Sequence, residues 1–511
     1  MESSRKQTVI ERCMLFILPV YAYLFCSWLV FLESGPNSIG LGAAILTLLF
    51  CGVMLAYMAA TGGVNRASVA WLVITALLGC TFFLYPESVQ TFFTFFAVIF
   101  CSAMTVFTAG ENRRRFCSDR IFEDTANAVF TRPFSRFGQG YFATLLPMFH
   151  VKQEDGKSRN RTGLWILLGL LASIPLTVIV ISLLTDADLK FGLLFDKVLL
   201  WLEEHFLLVF FKIFLAVPLC FYLFGMLYAS RHPRNALTTD ERREQIRLAG
   251  QKIPQVLIGT MLIPPTVIYL LYIGLQSSYY FSGFAGILPA DFTVANYARS
   301  GFFEVCIVAG INATLLFVLE RFCCRREDGE KTLLHRIFSI VLPVVTLLLL
   351  ASSAVKLVMY IRAFGLTKSR LGGAWATVLL ILVFAAALLG MLVKKLSLSR
   401  IETGIVTVAV LVALLTPQDR LIAEYNVDAY LSGRTEQMDV NYLCGSGDIG
   451  DGAIPALERL VKETDEKEIR DRAQWEIDNY IGRLRGARKG EKSYKLPWYV
   501  VCLQDLQYLS K

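Results

Sequence analysis

The chain has 511 residues, of which 55% are hydrophobic and 18% charged, and its mean hydropathy is +0.53. Soluble domains carry about 25% charged residues, and here the apolar residues form long runs. This excludes a water-soluble enzyme, a disordered chain and a small disulfide scaffold. Of the net charge of +8, residues 417–511 carry −3 and the remainder +11. That division indicates a basic membrane part with a mildly acidic tail, and not a nucleic-acid-binding protein.

Several apolar runs are long enough to cross a bilayer, which takes about 20 residues per helix. The eleven candidates are 13–33, 39–60, 68–85, 90–109, 163–184, 205–230, 254–275, 302–319, 337–360, 374–393 and 401–416. The last is the weakest, because it is short and opens with Glu402. Prolines inside the runs are tolerated in lipid. We therefore predict an all-α, polytopic transmembrane helix bundle of about eleven spans.

The charges of the connectors predict the orientation, because cytoplasmic loops are enriched in Lys and Arg. Arg5, Lys6 and Arg12 place the N-terminus inside, and the ten basic residues of 110–162 make that segment cytoplasmic. Eleven spans then leave the tail outside. Connector 361–373 conflicts with this scheme, because it is predicted to lie outside but carries three cations and no acid. Either those cations serve a purpose there or a span is miscounted, and we favour the first interpretation.

The predicted topology divides the chain into four parts. They are transmembrane helices 1–4 (1–109), a basic cytoplasmic loop (110–162), transmembrane helices 5–11 (163–416) and a small extracytoplasmic helical tail (417–511). Aromatic residues recur at helical spacing in the loop, at Phe130, Phe134, Phe137 and Tyr141. They predict an amphipathic helix on the inner leaflet, with a partner-binding helix as the alternative. In the tail, 418–452 shows little periodicity, whereas 453–484 carries two amphipathic helical stripes.

Polar side chains at the ends of spans form the candidate site, because burying them in a membrane is costly. Those predicted at the outer interface are Gln276, Tyr297, Arg299, Glu304, Lys356, Tyr360 and Arg362. One interpretation is helix caps, snorkelling side chains and structural ion pairs. The other is a polar pocket beneath the tail, in which the cations attract an anionic group. Asn312, in mid-span, is interpreted as an interhelical hydrogen-bonding residue and not as a substrate contact.

The sequence shows no catalytic or cofactor-binding constellation. The four His are scattered without metal-ligand spacing, and the glycine-rich stretch 445–452 follows no strand and lacks the Lys-Ser/Thr of a phosphate loop. Among the twelve Cys, Cys444 and Cys502 alone share the predicted external tail, which makes them a candidate disulfide. We predict no metal, no cofactor and no nucleic-acid partner.

Three ordered blocks between 254 and 460 carry a family resemblance. They are Tyr297–Glu304, then Ala351–Tyr360 continuing over Phe364–Arg370, then Leu415–Pro417 followed by Leu421–Val427, Asp439–Leu443 and Ala453–Leu457. Together they resemble a bacterial membrane family catalogued as domain of unknown function 4173, related to a neighbouring one numbered 4153. Lys356 and Phe364 depart from its pattern, which prefers Arg and Tyr there. The resemblance implies a bacterial cytoplasmic (inner) membrane protein of unassigned activity.

Three function classes remain open. The leading hypothesis is a non-enzymatic envelope sensor or scaffold that binds an external ligand or partner through its tail and outer pocket. The alternative is a transporter of a small anionic or lipidic solute, although no internal repeat is visible. A third is a membrane-embedded envelope-modifying enzyme, for which no nucleophile or metal set is visible. The predicted partners are the lipid bilayer and either another envelope protein or a small anionic ligand.

Overall fold

The computed structural model describes residues 9–30, 39–85, 89–109, 116, 121–145, 173, 180, 197, 208–232, 245, 250–284, 302–324, 331–393, 398–435, 438–444, 449–488 and 500–510. Their helices are α1 (Val9–Phe25, extended by a π-helical turn, Cys26–Val30), α2 (Leu41–Thr61), α3 (Arg66–Leu84), α4 (Val89–Ala109), α5 (Ile121–Ala126), α6 (Arg132–Ser135), α7 (Gln139–Leu145), α8 (Leu208–Arg231), α9 (Gln255–Phe284), α10 (Phe302–Phe322), α11 (Leu333–Phe364), α12 (Lys368–Leu392), α13 (Leu398–Leu415), α14 (Gln418–Leu431), α15 (Val440–Cys444), α16 (Ile454–Glu463), α17 (Lys467–Arg488) and α18 (Leu503–Ser510). Those ranges contain no β-strand, and Ile253 and Cys323 form an isolated β-bridge.

Eight helices in the described part of the chain are long and apolar enough to cross a membrane, and the bent pair α13–α14 raises the number to nine if it counts as one span. Eight of the predicted runs are thereby confirmed as helices of spanning length. Run 302–319 forms α10, which is not among the eight, and run 163–184 lies outside the described residues. The fold is an all-α, multi-span membrane bundle, while the total of eleven spans stays a prediction.

The chain forms two compact units. The first comprises 1–33, 56–62 and 129–234, and the second comprises 34–55, 63–128 and 235–511. In the first unit α1 packs against α8. Glu11 of α1 is 1% exposed and pairs with His232 at 3.0 Å.

The predicted amphipathic helix of the first unit is interrupted in the structure. Gly138 has a φ of +68°, which ends α6 before α7 begins. The aromatic residues then pack on α8: Phe134 contacts Tyr222, and Tyr141 contacts Phe224. The glycine breaks the helix because its backbone adopts the left-handed conformation that L side chains rarely take. The outward half of the segment remains apolar, since Phe134 is 56% exposed.

In the second unit, α9, α10, α11 and α12 surround a shared apolar core. Its buried members are Ile258, Leu262, Ala309, Leu316, Leu319, Cys323, Phe338, Leu342, Leu350, Phe384 and Ala387. Helix α3 packs along α4, and α13 packs on α12. Small residues such as Ala309 and Ala387 allow these helices to approach closely, as is usual where lipid cannot drive helices together.

The tail forms a small helical domain of the same unit. Its core combines α14, α16, α17 and α18 with Leu366 and Leu371 of the preceding connector and helix. The two predicted stripes of 453–484 lie on α16 and α17, which pack against each other. Helix α14 occupies a region of little sequence periodicity, because it buries Ile422, Ala423 and Val427 against neighbours distant in the chain.

Candidate functional site

One amide side chain of the tail recognises the backbone of the connector between α11 and α12. Asn426 of α14 accepts a hydrogen bond from the N–H of Leu366 at 2.7 Å and donates one to the C=O of Leu366 at 2.8 Å. Gly365 precedes it with a φ of +74°, and a Cβ there would lie 2.6 Å from Asn426 Oδ1. Glycine therefore serves both the left-handed backbone and the close approach of Asn426.

An ion pair lies beside this contact. Lys368 Nζ is 3.1 Å from Oδ1 of Asp419, whose side chain is 8% exposed. The backbone N–H of Lys368 also donates to the hydroxyl oxygen of Tyr442 at 2.9 Å. We call Gly365, Leu366, Lys368, Asp419 and Asn426 the tail clamp. It joins the second and third blocks of the family resemblance, since Phe364–Arg370 contacts Leu421–Val427 and Asp439–Leu443.

The third cation of the connector, Arg370, interacts with nearby residues of the same segment. Arg370 donates hydrogen bonds to the carbonyl oxygens of Phe364 at 2.7 Å and Gly365 at 2.6 Å. Its guanidinium carbon lies 4.1 Å from the centre of the Tyr360 ring, a cation–π distance. Lys368 and Arg370 thus both have partners within the fold, whichever side of the membrane the connector faces.

The tail contacts other helices of the second unit at one end of that unit, which we call the clamp end. The N–H of Leu41 donates to the C=O of Val501 at 3.1 Å. Where α13 ends, Tyr85 donates to the C=O of Leu415 at 2.9 Å, and Gln90 donates to the C=O of Thr416 at 2.9 Å. These contacts place the tail and the end of α13 at the ends of α2, α3 and α4, and the absolute side of the membrane stays a prediction.

The described members of the predicted outer pocket differ in their exposure. Glu304 and Arg362 are exposed, Lys356 is 8% exposed, and Tyr360 lies under Arg370. The side chain of Gln276, and all of Tyr297 and Arg299, lie outside the described residues. The pocket as a whole therefore stays a prediction, and among its described members Lys356 is the buried charge.

Asn312 is fully buried in mid-span and joins three helices. Its Oδ1 accepts a hydrogen bond from Tyr269 of α9 at 3.1 Å, and its Nδ2 donates to Thr346 of α11 at 3.0 Å. Thr346 in turn donates to the C=O of Leu342 at 2.7 Å. The geometry is that of the interhelical hydrogen bond expected from the sequence. Both the oxygen and the nitrogen of the Asn312 amide are hydrogen-bonded.

The opposite end of the second unit carries a cluster that the sequence analysis missed. Oε1 of Glu320 accepts from Lys331 Nζ at 2.8 Å and Ser339 Oγ at 2.8 Å, and lies 3.2 Å from His335 Nε2. Lys331 Nζ also lies 3.3 Å from the sulfur of Met391, at the end of α12. We call Glu320, Lys331, His335 and Ser339 the Glu320 cluster. The overlooked signal is the spacing of His335 and Ser339, which places both on one face of a helix beginning earlier than the predicted run.

The candidate disulfide has one described partner. The side chain of Cys502 is 4% exposed, and that of Cys444 lies outside the described residues, so the pairing stays a prediction. Burial and the neighbouring Asp505 carboxylate raise the pKa of the Cys502 thiol to about 12. Asp505 also accepts hydrogen bonds from Tyr480 at 2.8 Å and from the N–H of Cys502 at 2.9 Å.

In reduced protein, Cys502 is expected to react with maleimide only when the tail unfolds. At pH 7.5 the reactive thiolate falls from roughly a tenth of an exposed thiol to about one part in ten thousand or less at this pKa. Mass spectrometry of the Cys502 peptide, before and after denaturation, measures the difference. The thiol introduced by Gln474→Cys, at an exposed position on α17, is the matched control and should label in the folded protein. Equal labelling of both thiols in the native state would contradict a closed tail core.

The apolar helices, with hydrogen-bonded polar side chains buried between them, define the class of this chain: it is a multi-span helical membrane protein. It belongs to the family described as Domain of unknown function (DUF4153), which matches residues 72–460. The assignment to family 4173 is thereby corrected to the related family 4153, whose match includes all three blocks that carry the resemblance. No curated protein and no solved structure matches the chain. Among the described residues, no group of three or more His, Cys, Asp or Glu side chains is placed to hold a metal ion.

Proposed function

We propose that this protein is a non-enzymatic sensor of the bacterial inner membrane, in which an external tail domain controls the helix ends on the cytoplasmic side. One observation carries the proposal: α11 and α12 each run from the tail clamp to the Glu320 cluster. Helix α11 has 32 residues, or about 48 Å at 1.5 Å per residue. A partner or ligand that moves the tail would therefore pull on both helices at once.

The two ends are suited to such coupling because each is held by hydrogen bonds between specific side chains and their partners. At the clamp, Asn426 fixes the connector backbone through two hydrogen bonds. At the other end, Glu320 gathers donors from α11 and from the segment before it. Packed interfaces of this kind switch between discrete arrangements and do not deform continuously, which suits a two-state signal.

A transporter of a small anion is the second candidate, favoured by a row of buried hydroxyls on α11. Ser339, Thr346 and Ser353 recur every seven residues and are 1%, 0% and 2% exposed. Such residues also serve close helix packing. Phosphate entry into proteoliposomes containing the protein, abolished by Lys356→Met, would replace the sensor proposal with transport.

The sensor proposal is tested by loosening the clamp and observing the opposite end. Cys324 is the reporter, because it follows Glu320 by four residues, just beyond the end of α10, and its thiol donates to the C=O of Gln251 at 3.2 Å. In nanodiscs, the double variant Asp419→Asn with Asn426→Ala should change the alkylation rate of Cys324 several-fold, resolved by mass spectrometry. The matched control combines Asp478→Asn with Asn479→Ala on the exposed face of α17 and should leave that rate unchanged.

Protease sensitivity of the tail decides how the result is interpreted. If the double variant makes the tail sensitive to protease while Cys324 reacts as in the wild type, the clamp holds the tail but transmits nothing, and the sensor proposal fails. If Cys324 changes together with the tail, the two ends are coupled.

A further inference from the structure

Segment 129–145 of the first unit packs closely on the membrane helix α8. Tyr222 of α8 donates a hydrogen bond to the C=O of Val129 at 2.9 Å. Gly225 of α8 permits a backbone contact, because a Cβ there would lie 2.5 Å from the carbonyl oxygen of Pro133. The segment is therefore held against α8 by its main chain as well as by its aromatic rings.

These contacts lie deep along α8. The helix is a candidate span that ends at Arg231. Phe221, whose ring centroid is 5.7 Å from that of Phe137, lies ten residues before this end, or about 15 Å at 1.5 Å per residue. The hydrocarbon core of a bilayer is about 30 Å thick. A helix lying in the membrane interface sinks about 5–10 Å, which is less than the depth of this contact.

The exposure of α8 changes at the same depth. Its first half carries apolar side chains that are 40–62% exposed, namely Val209, Phe210, Phe211, Ile213, Phe214, Leu215 and Val217. Its second half carries the buried residues Cys220, Leu223, Phe224, Met226, Leu227, Ala229 and Ser230. Helix α1 and segment 129–145 pack on α8 and cover this second half. The first half retains the apolar surface of a helix that faces lipid.

Arg136 shows in which direction the membrane interface lies. Its backbone packs against Gly225, since a Cβ there would be 3.5 Å from the Arg136 carbonyl carbon. Its side chain extends toward the end of α8, where Nε donates to the C=O of His232 at 3.0 Å. Long cationic side chains reach out of apolar surroundings toward the interface in this way.

The segment adds its own apolar surface at this depth. Four of its phenylalanines are 37–62% exposed, namely Phe130, Phe134, Phe137 and Phe142. Phe130 follows the residue that Tyr222 binds, so it lies near the middle of the span. The bilayer offers no water there, and exposed aromatic side chains at that level need an apolar partner.

We propose that segment 129–145 is a re-entrant element inside the membrane, whose exposed phenylalanines bind the acyl chains of phospholipids. The segment is too short to cross a bilayer, because its 17 residues are interrupted at Gly138 and a span takes about 20. Basic residues on both flanks, in 113–115 and 152–161, predict that the chain enters and leaves on the cytoplasmic side. Acyl chains are the occupant because they also face the first half of α8. This inference concerns the first unit and does not rest on the sensor proposal.

Photoactivatable phospholipids test this placement in the full-length protein. One nanodisc preparation contains phosphatidylcholine with a diazirine near the methyl end of its acyl chain, and the other carries the diazirine on the headgroup. Mass spectrometry locates the adducts after irradiation. The chain probe should label segment 129–145 in a yield comparable to that of 209–217, and the headgroup probe should label the segment several-fold less. Helix α17, in which Trp475 is 54% exposed, is the negative control for the chain probe.

Two results would overturn the proposal. Adducts from the headgroup probe alone would place the segment on the membrane surface. An absence of adducts from both probes would mean that protein covers the phenylalanines, and cross-links between copies of the chain would then identify a dimer interface.

Phe130→Asp and Phe130→Leu form a matched pair at the most exposed of the four rings. A carboxylate is costly among acyl chains, so Phe130→Asp should shift the adducts of segment 129–145 several-fold from the chain probe to the headgroup probe. Phe130→Leu should keep the wild-type pattern, as should Trp475→Asp, which adds the same charge at an exposed ring of the tail. A wild-type pattern for Phe130→Asp would contradict contact with acyl chains. Should that variant fail to accumulate, the two probes on the wild-type protein decide.

Discussion

Asn426→Ala is expected to lower the free energy of unfolding of the tail by about 2–4 kcal/mol. The variant loses two hydrogen bonds to Leu366, each worth about 1 kcal/mol. It also leaves the backbone N–H and C=O of Leu366 without these partners. Leu366 is 7% exposed, so their burial adds to the free-energy cost. Hydrogen exchange in α14 and α16 measures the change, because these helices share the core that the clamp closes.

The matched control for this prediction is Asn479→Ala, at an exposed position of α17. It makes the same chemical change without a buried partner and should stay within about 0.5 kcal/mol of the wild type. Gly365→Ala should resemble Asn426→Ala, since its Cβ would displace the Asn426 amide. Wild-type exchange rates for Asn426→Ala would mean that apolar packing alone holds the tail.

The membrane helices were predictable because a hydrophobic run of spanning length indicates a transmembrane helix by itself, without knowledge of its neighbours. A span of about 20 apolar residues is stable in lipid whatever its neighbours are, so the predicted runs and the observed helices agree closely. Asn312 was predictable for a related reason: a polar amide in mid-membrane needs partners from other helices. Its partners, Tyr269 and Thr346, were not, since the sequence does not show which helices are adjacent.

The clamp and the Glu320 cluster depend on contacts that no local pattern encodes. Asn426 lies 60 residues from Leu366 and sits in a stretch without helical periodicity. Glu320 and Lys331 fall between the predicted runs 302–319 and 337–360, so the sequence alone indicated no role for them. In the structure α11 begins at Leu333, four residues before the predicted run, and brings His335 to Glu320. Tertiary packing thus brings Glu320, Lys331 and His335 into one hydrogen-bonded cluster.

Glu320→Ala is expected to destabilise the bundle by about 2–4 kcal/mol, chiefly because His335 and Ser339 lose their hydrogen-bond acceptor. The side chain of His335 is 1% exposed, and Ser339 is likewise 1% exposed, so neither can recover a hydrogen bond from water at once. Lys331 is 25% exposed and regains solvent, which limits the loss. Unfolding in detergent micelles measures the effect as a lower Tm. Glu320→Gln keeps an acceptor oxygen and should lose less than Glu320→Ala.

Glu424→Ala supplies the matched comparison, because it breaks an ion pair of the same chemistry on an exposed surface. Arg420 and Glu424 are 56% and 47% exposed, and such pairs contribute about 0.3–0.5 kcal/mol. The predicted order of Tm loss is therefore Glu320→Ala, then Glu320→Gln, then Glu424→Ala. Equal losses for the two alanine variants would mean that water screens the Glu320 cluster as it does a surface pair. The helix ends opposite the clamp would then be held by the apolar core alone, and the cluster could not act as the receiving joint of the proposed sensor.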